Sequence, residues 1–162
     1  MRRWLALLLA LLAGACGGGE GEDQASTTPD PSCASGTRWT GGNAESALMQ
    51  PGQACIACHG QGEGPQFEVA GTVFAGQHEQ NGCFGSAGAQ VVVSDADGRT
   101  LTLETNAAGN FSYRGPLTLP IHAEVRHQGA TRAMAAAVPS GDCNACHTEN
   151  GTQGSPGRIL LP

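Results

Sequence analysis

Gln90–Tyr113 reads QVVVSDADGRTLTLETNAAGNFSY, and its apolar residues recur with a period of two rather than 3.6. QVVVS (Gln90–Ser94) and TLTLET (Thr100–Thr105) read as two strands, and Asp95-Ala96-Asp97-Gly98 between them is a hairpin signal. Asn106–Asn110, NAAGN, makes the next turn before Phe111 and Tyr113 begin a further alternating run. The stretch commits this part of the chain to short antiparallel strands.

The same period continues outward on both sides. Phe67, Val69, Gly71 and Val73 alternate upstream, while Ile121, Ala123 and Val125 alternate with His122, Glu124 and Arg126 downstream, and Gln128-Gly129 turns the chain into Ala130–Met134. The expected fold is mainly β, a small antiparallel β-sandwich over residues 67–138. Asp95 and Asp97 are read as turn formers rather than calcium ligands.

A core of ordinary size is not available to this sandwich. The 162 residues contain 27 Leu, Ile, Val and Phe, of which six lie between Leu5 and Leu12. Removal of residues 1–15 leaves 147 residues with 21 of them, about one in seven, below the roughly 20% at which chains tend to disorder. A staple, metal or cofactor buried with the chain would make up the deficit. The formal charge is −6 and all eight basic residues are Arg, a balance that disfavours nucleic acid as a partner.

The seven cysteines supply the means. CIACH (Cys55–His59) and CNACH (Cys143–His147) repeat one pattern, two Cys three positions apart followed at once by His, the attachment signature of c-type haem. The two thiols of each motif would form thioether bonds with the haem vinyl groups, and the adjacent imidazole would ligate the iron. On this reading the cofactors are two covalently bound haem c, with Cys55, Cys58, Cys143 and Cys146 as attachment points and His59 and His147 as proximal metal ligands. Two porphyrins would also supply the apolar bulk that the chain lacks.

Other readings use the same residues. A zinc site could draw on both Cys pairs, but 84 residues separate Cys58 from Cys143, far beyond the spacing of compact zinc sites. A thioredoxin-like dithiol would want a βαβ context, whereas GQGEGP (Gly60–Pro65) and NGTQGSPG (Asn150–Gly157) form loops. Ser140, Asp142 and His147 are sequence neighbours rather than a catalytic triad, so no enzymatic constellation stands out.

At the N-terminus, Arg2 and Arg3 precede an apolar run from Trp4 to Ala15, too short for the roughly 20 residues of a membrane-spanning helix. It reads as an export signal, residues 1–15. Ala13-Gly14-Ala15-Cys16 resembles the lipobox of bacterial lipoproteins, with Ala13 in place of the usual Leu; the resemblance implies acylation of Cys16 and a membrane anchor. An ordinary signal peptide whose cut falls near Cys16 is the alternative. Residues 16–32, polar and Gly-rich after Cys16, are expected to be a flexible tether. With four Cys assigned to haem and one to lipid, Cys33 and Cys83 remain, and an oxidising compartment favours a disulfide between them over two free thiols.

GTVF (Gly71–Phe74), VVVSDADGRTLTLETNAAGNFSY (Val91–Tyr113) and AEVRHQG (Ala123–Gly129) resemble the carboxypeptidase regulatory-like domains, small transthyretin-like β-sandwiches. With CASGTRWTGG (Cys33–Gly42) and the flanking motifs, the mature chain resembles a group of small exported dihaem cytochrome proteins. The resemblance implies haem-binding arms at 33–66 and 139–162, expected to be irregular, and electron transfer to other redox proteins of the bacterial cell envelope, at the periplasm or outer membrane. A haem-stabilised binding or sensor lipoprotein is the rival reading, since such sandwiches usually serve interaction. Oligomeric state is not legible.

For the sixth iron ligands the residues left are His78, His122, His127, Met49 and Met134. His122 alternates with Ile121 and Ala123, away from the buried side, and His127 sits at a turn. The expected distal ligands are therefore His78, in the Gly-rich loop within 20 residues of the first motif, and Met134, shortly before the second, with Met49 in reserve. Arg158 reads as a solvated side chain, or as a partner for a haem propionate.

Overall fold

The computed structural model describes residues 26–62 and 64–162; the segment read as an export signal and Cys16 lie outside them. Nine strands and two short helices follow in chain order: β1 (Thr27–Pro29), β2 (Thr37–Trp39), α1 (Cys55–His59), β3 (Val69–Phe74), β4 (Gln90–Ser94), β5 (Thr100–Glu104), β6 (Asn110–Tyr113), β7 (His122–His127), β8 (Ala130–Ala133), α2 (Cys143–Cys146) and β9 (Ile159–Leu160). They form a four-stranded sheet in the order β5-β4-β7-β8, a three-stranded sheet in the order β6-β3-β9, and the separate hairpin β1-β2.

Alternation sets the sandwich. Val91 and Val93 of β4, Val125 of β7 and Ile121 just before it meet Val69 and Val73 of β3 and Phe111 of β6 in one buried cluster. Val92, one residue out of phase, sits between Thr102 and Glu124 on the other face. The β4-β5 hairpin follows the sequence signal: Asp95 Oδ1 accepts the N–H groups of Asp97 and Arg99, and Gly98 takes φ +80°. Asp97 Oδ2 accepts the Thr118 hydroxyl. Both carboxylates are thus occupied by the chain's own donors, as turn formers are. Gln128 and Gly129, both at positive φ, make the two-residue β7-β8 turn whose twist matches the strands it joins.

β3 departs from the alternating expectation. The strand begins at Val69, leaving Phe67 outside it, and all six of its residues are buried. One face meets the four-stranded sheet; the other is covered by the N- and C-terminal arms. The arms are also less irregular than the sequence implied. Thr27–Pro29, within the stretch read as tether, pairs antiparallel with Thr37–Trp39, and Ile159–Leu160 runs parallel to Val73–Phe74. Further up the same edge Asp142 bridges to Ala70, again parallel. The segment that carries the second Cys motif is therefore stitched to β3 on both sides of the motif. The disulfide Cys33–Cys83 ties the N-terminal arm to the loop after β3, with a Cα–Cα distance of 5.3 Å. Among the described residues, no helix is long and apolar enough to cross a membrane.

Candidate cofactor site

Each motif folds as a single helical turn, α1 or α2, which brings cysteines three apart onto one side of the turn. Cys58 is exposed; Cys55, Cys143 and Cys146 are half-buried. The two turns pack together on β3. Asp142, directly before Cys143, reaches into the first motif, where its Oδ2 accepts the Ala57 N–H at 2.9 Å. Asn144, inside the second motif, is buried and fully engaged. Its Oδ1 accepts the Thr72 N–H at 3.1 Å, and its Nδ2 donates to Gln53 O at 2.9 Å and Thr72 Oγ1 at 3.1 Å. The Thr72 hydroxyl also accepts from Gly52 N and donates to Asn110 Oδ1. One polar network therefore joins β3, β6, the approach to Cys55 and the interior of the second motif. Gly71 permits the approach, because a Cβ there would stand 2.9 Å from Cys143 Cβ and 2.8 Å from Phe111 Cζ.

The first thiol of each motif is held against ionisation. Burial, with Asp142 second, pushes Cys55 up to about 12, and burial, with Cys55 and Asp142 behind it, pushes Cys143 up to about 12. An attacking thiolate needs the opposite shift, which counts against a dithiol exchange pair. Nor do the motif side chains converge as a zinc site requires. Among the described residues the one close-set group of possible ligands is Cys33, Glu79 and Cys83, two of which form the disulfide. A cleft of about 310 Å³ opens beside that disulfide, lined in part by Cys33, His78 and Glu79, and none of its walls is a motif residue.

The two histidines are held differently. His147 Nδ1 lies 2.9 Å from Gly157 O and 2.8 Å from Ser155 Oγ, and Ser155 Oγ itself donates to Gly157 O. A carbonyl has no proton to give, so Nδ1 is the donor and Nε2 carries the lone pair. Burial lowers the pKa of His147 and favours the neutral ring, with the Gly157 hydrogen bond opposing. This is the state and orientation in which an imidazole ligates iron. His59 is oriented by packing: its ring lies 4.7 Å from Phe67 and against Gly64, and its buried Nδ1 has no hydrogen-bond partner. The residues thus fit two covalently attached haems, with the better-defined ligand at the second motif.

Several sequence expectations are relocated. His78 is exposed, and its Nδ1 lies 2.8 Å from Glu149 O, two residues past His147, so it adjoins the second motif rather than the first, to which it is nearer in sequence. Met134 follows β8 on the four-stranded sheet, where its N–H donates to Ala123 O and its O receives His122 Nε2; the motifs rest on the other sheet. Ser140 Oγ accepts the Asp142 N–H, and His147 is turned to Gly157, so the three residues form no triad. Arg158, read as solvated, is 2% exposed. The sequence reading missed Asp142, Asn144, Thr72 and Ser155 as site residues; Asn144 alone carries a local signal, a polar residue where the first motif has Ile56.

No family model, curated protein or solved structure matches this chain.

Proposed function

We propose that this chain is a dihaem c-type cytochrome, exported and lipid-anchored through Cys16, that passes electrons to other redox proteins of the bacterial cell envelope. The observation that carries the reading is the meeting of the two Cys-x-x-Cys-His turns on one strand, cross-linked by Asp142 and Asn144. Cys55 and Cys58 would hold one haem with His59 on its iron, and Cys143 and Cys146 the other with His147. Haem supplies a one-electron ferric/ferrous couple. The chain supplies ligand orientation, through the Gly157 and Ser155 contacts at His147 and the Phe67 contact at His59, and it supplies a fixed separation, because Asn144 bonds α2 to β3 and Asp142 bonds α1 to the residue before α2. Rigid placement suits a carrier, since little has to reorganise when the charge changes.

His78 and Met134 are our proposed sixth ligands. His78 resembles His147 in directing Nδ1 at a backbone carbonyl, which leaves Nε2 bare. Met134 rests on residue chemistry alone.

Intact mass after acid extraction of protein matured in a haem-attaching host tests the reading. We expect the polypeptide plus two haems, and one haem fewer in Cys55→Ala/Cys58→Ala; an unmodified polypeptide mass refutes it. Lipidation stands separately: wild type should partition with membranes and Cys16→Ala should not.

A further inference from the structure

The most unusual charge in the molecule is Arg158. Its guanidinium is buried and meets only neutral acceptors: Nε donates to Glu79 O at 2.7 Å, Nη1 to Gly52 O at 3.0 Å and His147 O at 3.2 Å, and Nη2 to Asn81 Oδ1 at 2.7 Å. Its Cζ stands 5.0 Å from the Phe74 ring centroid. The salt bridges among the described residues, Arg38–Asp30 and Arg126–Glu124, do not include it. Burying a cation without a carboxylate in contact is costly, and an apolar side chain could have filled the same space. Nor is the charge evenly placed between the motifs. It touches the ligand residue of the second motif directly, and its neighbour Gly157 carries the carbonyl that orients the His147 ring. Acids stand nearby as well: Glu79 and Glu149 lie within the Coulomb field of Arg158, and Asp142, bonded to the Ala57 N–H, directly precedes Cys143.

We propose that Arg158, acting through its contact with His147, raises the reduction potential of the second haem. The inference rests on the dihaem reading. Its physical basis is Coulombic. Oxidation adds one positive charge to an iron site, and a fixed cation disfavours the more positive state, most strongly where the surroundings exclude water. The step balances without a proton or leaving group: the ferric second haem takes one electron from a redox partner and becomes ferrous as the partner is oxidised. Arg is suited to the task, because its guanidinium stays charged where a buried ammonium tends to lose its proton.

The experiment is a spectroelectrochemical titration of the full chain with both haems attached, the two resolved by magnetic resonance. Arg158→Gln should cut the ferrous-to-ferric ratio of the second haem at a fixed ambient potential at least tenfold, which is about 59 mV for one electron. The first haem should move much less. Arg158→Lys, measured at pH 6 so that its ammonium stays charged, should return most of the loss. A purely structural clasp predicts the reverse pairing, with Lys and Gln equally displaced because both lose the fork of hydrogen bonds, and that result overturns the proposal. If neither variant attaches haem, Arg158 serves assembly of the site rather than its potential, and that result also overturns the proposal. Absence of covalent haem on the native chain would instead refute the dihaem reading itself.

Discussion

Asn144→Leu isolates the bond network between the two motifs, because leucine has the same number and branching of side-chain heavy atoms as asparagine and none of its hydrogen bonds. The substitution removes four contacts, to Thr72 N, Thr72 Oγ1, Gln53 O and, weakly at 3.8 Å, Cys55 Sγ. They are not equal. Thr72 is fully buried, so its N–H is left without a partner and without water, at a cost of about 1–3 kcal/mol. Thr72 Oγ1 keeps Gly52 and Asn110, and Gln53 is exposed enough for water to replace the lost donor, so these two contacts add about 0.5–1.5 kcal/mol together. The sum is about 3 kcal/mol, or about 10 °C in Tm for a chain of this size. Thermal unfolding followed by far-ultraviolet circular dichroism measures it, with Asn43→Leu, at an exposed side chain, as the background. A Tm within about 2 °C of that background would show that the network contributes little. Because Asn144 lies in the second motif but bonds to Gln53, on the proposed dihaem reading the same variant should also weaken haem attachment at Cys55 and Cys58, which peptide mapping reads directly.

Replacing Cys33 and Cys83 by Ala opens a 50-residue loop and should cost about 4 kcal/mol by chain entropy, read as a lower urea midpoint; an unchanged midpoint would mean the N-terminal arm is held by other contacts. Hydrogen bonds from Arg38 and Ser32 hold the Asp30 carboxyl at about 2, below its usual 3.8. A carboxyl depressed by folding stabilises the protein above its unfolded value and loses that contribution as pH falls through the folded one. Stability should therefore drop between about pH 4 and pH 2, and the acid limb should be shallower in Asp30→Asn, whereas superimposable acid titrations of the two proteins would remove this role.

Some features were legible because their causes are local. Period-two alternation placed β4, β5, β6 and β7, since each strand needs only its own residues to declare which side is apolar. The turns at Asp95–Gly98 and Gln128–Gly129 followed from residues that tolerate the required backbone angles. β3 was read as half-exposed because its alternation says nothing of what lies across the second face, and the arms that cover that face are distant in sequence. β9 escaped for the same reason: two residues, Ile159 and Leu160, carry no period, and only an open edge beside Val73 and Phe74 makes them a strand.

The site divides along the same line. The two Cys-x-x-Cys-His motifs are legible along the chain, because the reacting groups lie within five consecutive residues, and arithmetic leaves Cys33 and Cys83 as partners. That the motifs share one strand, that His78 adjoins the second of them, and that Arg158 is buried against His147 instead of solvated emerges from the folded chain alone. Those facts depend on hydrogen bonds between residues dozens of positions apart, such as Asp142 with Ala57 and Asn144 with Gln53. Such bonds form only after the sandwich core has brought the two ends of the chain together over β3, and no spacing along the chain encodes them.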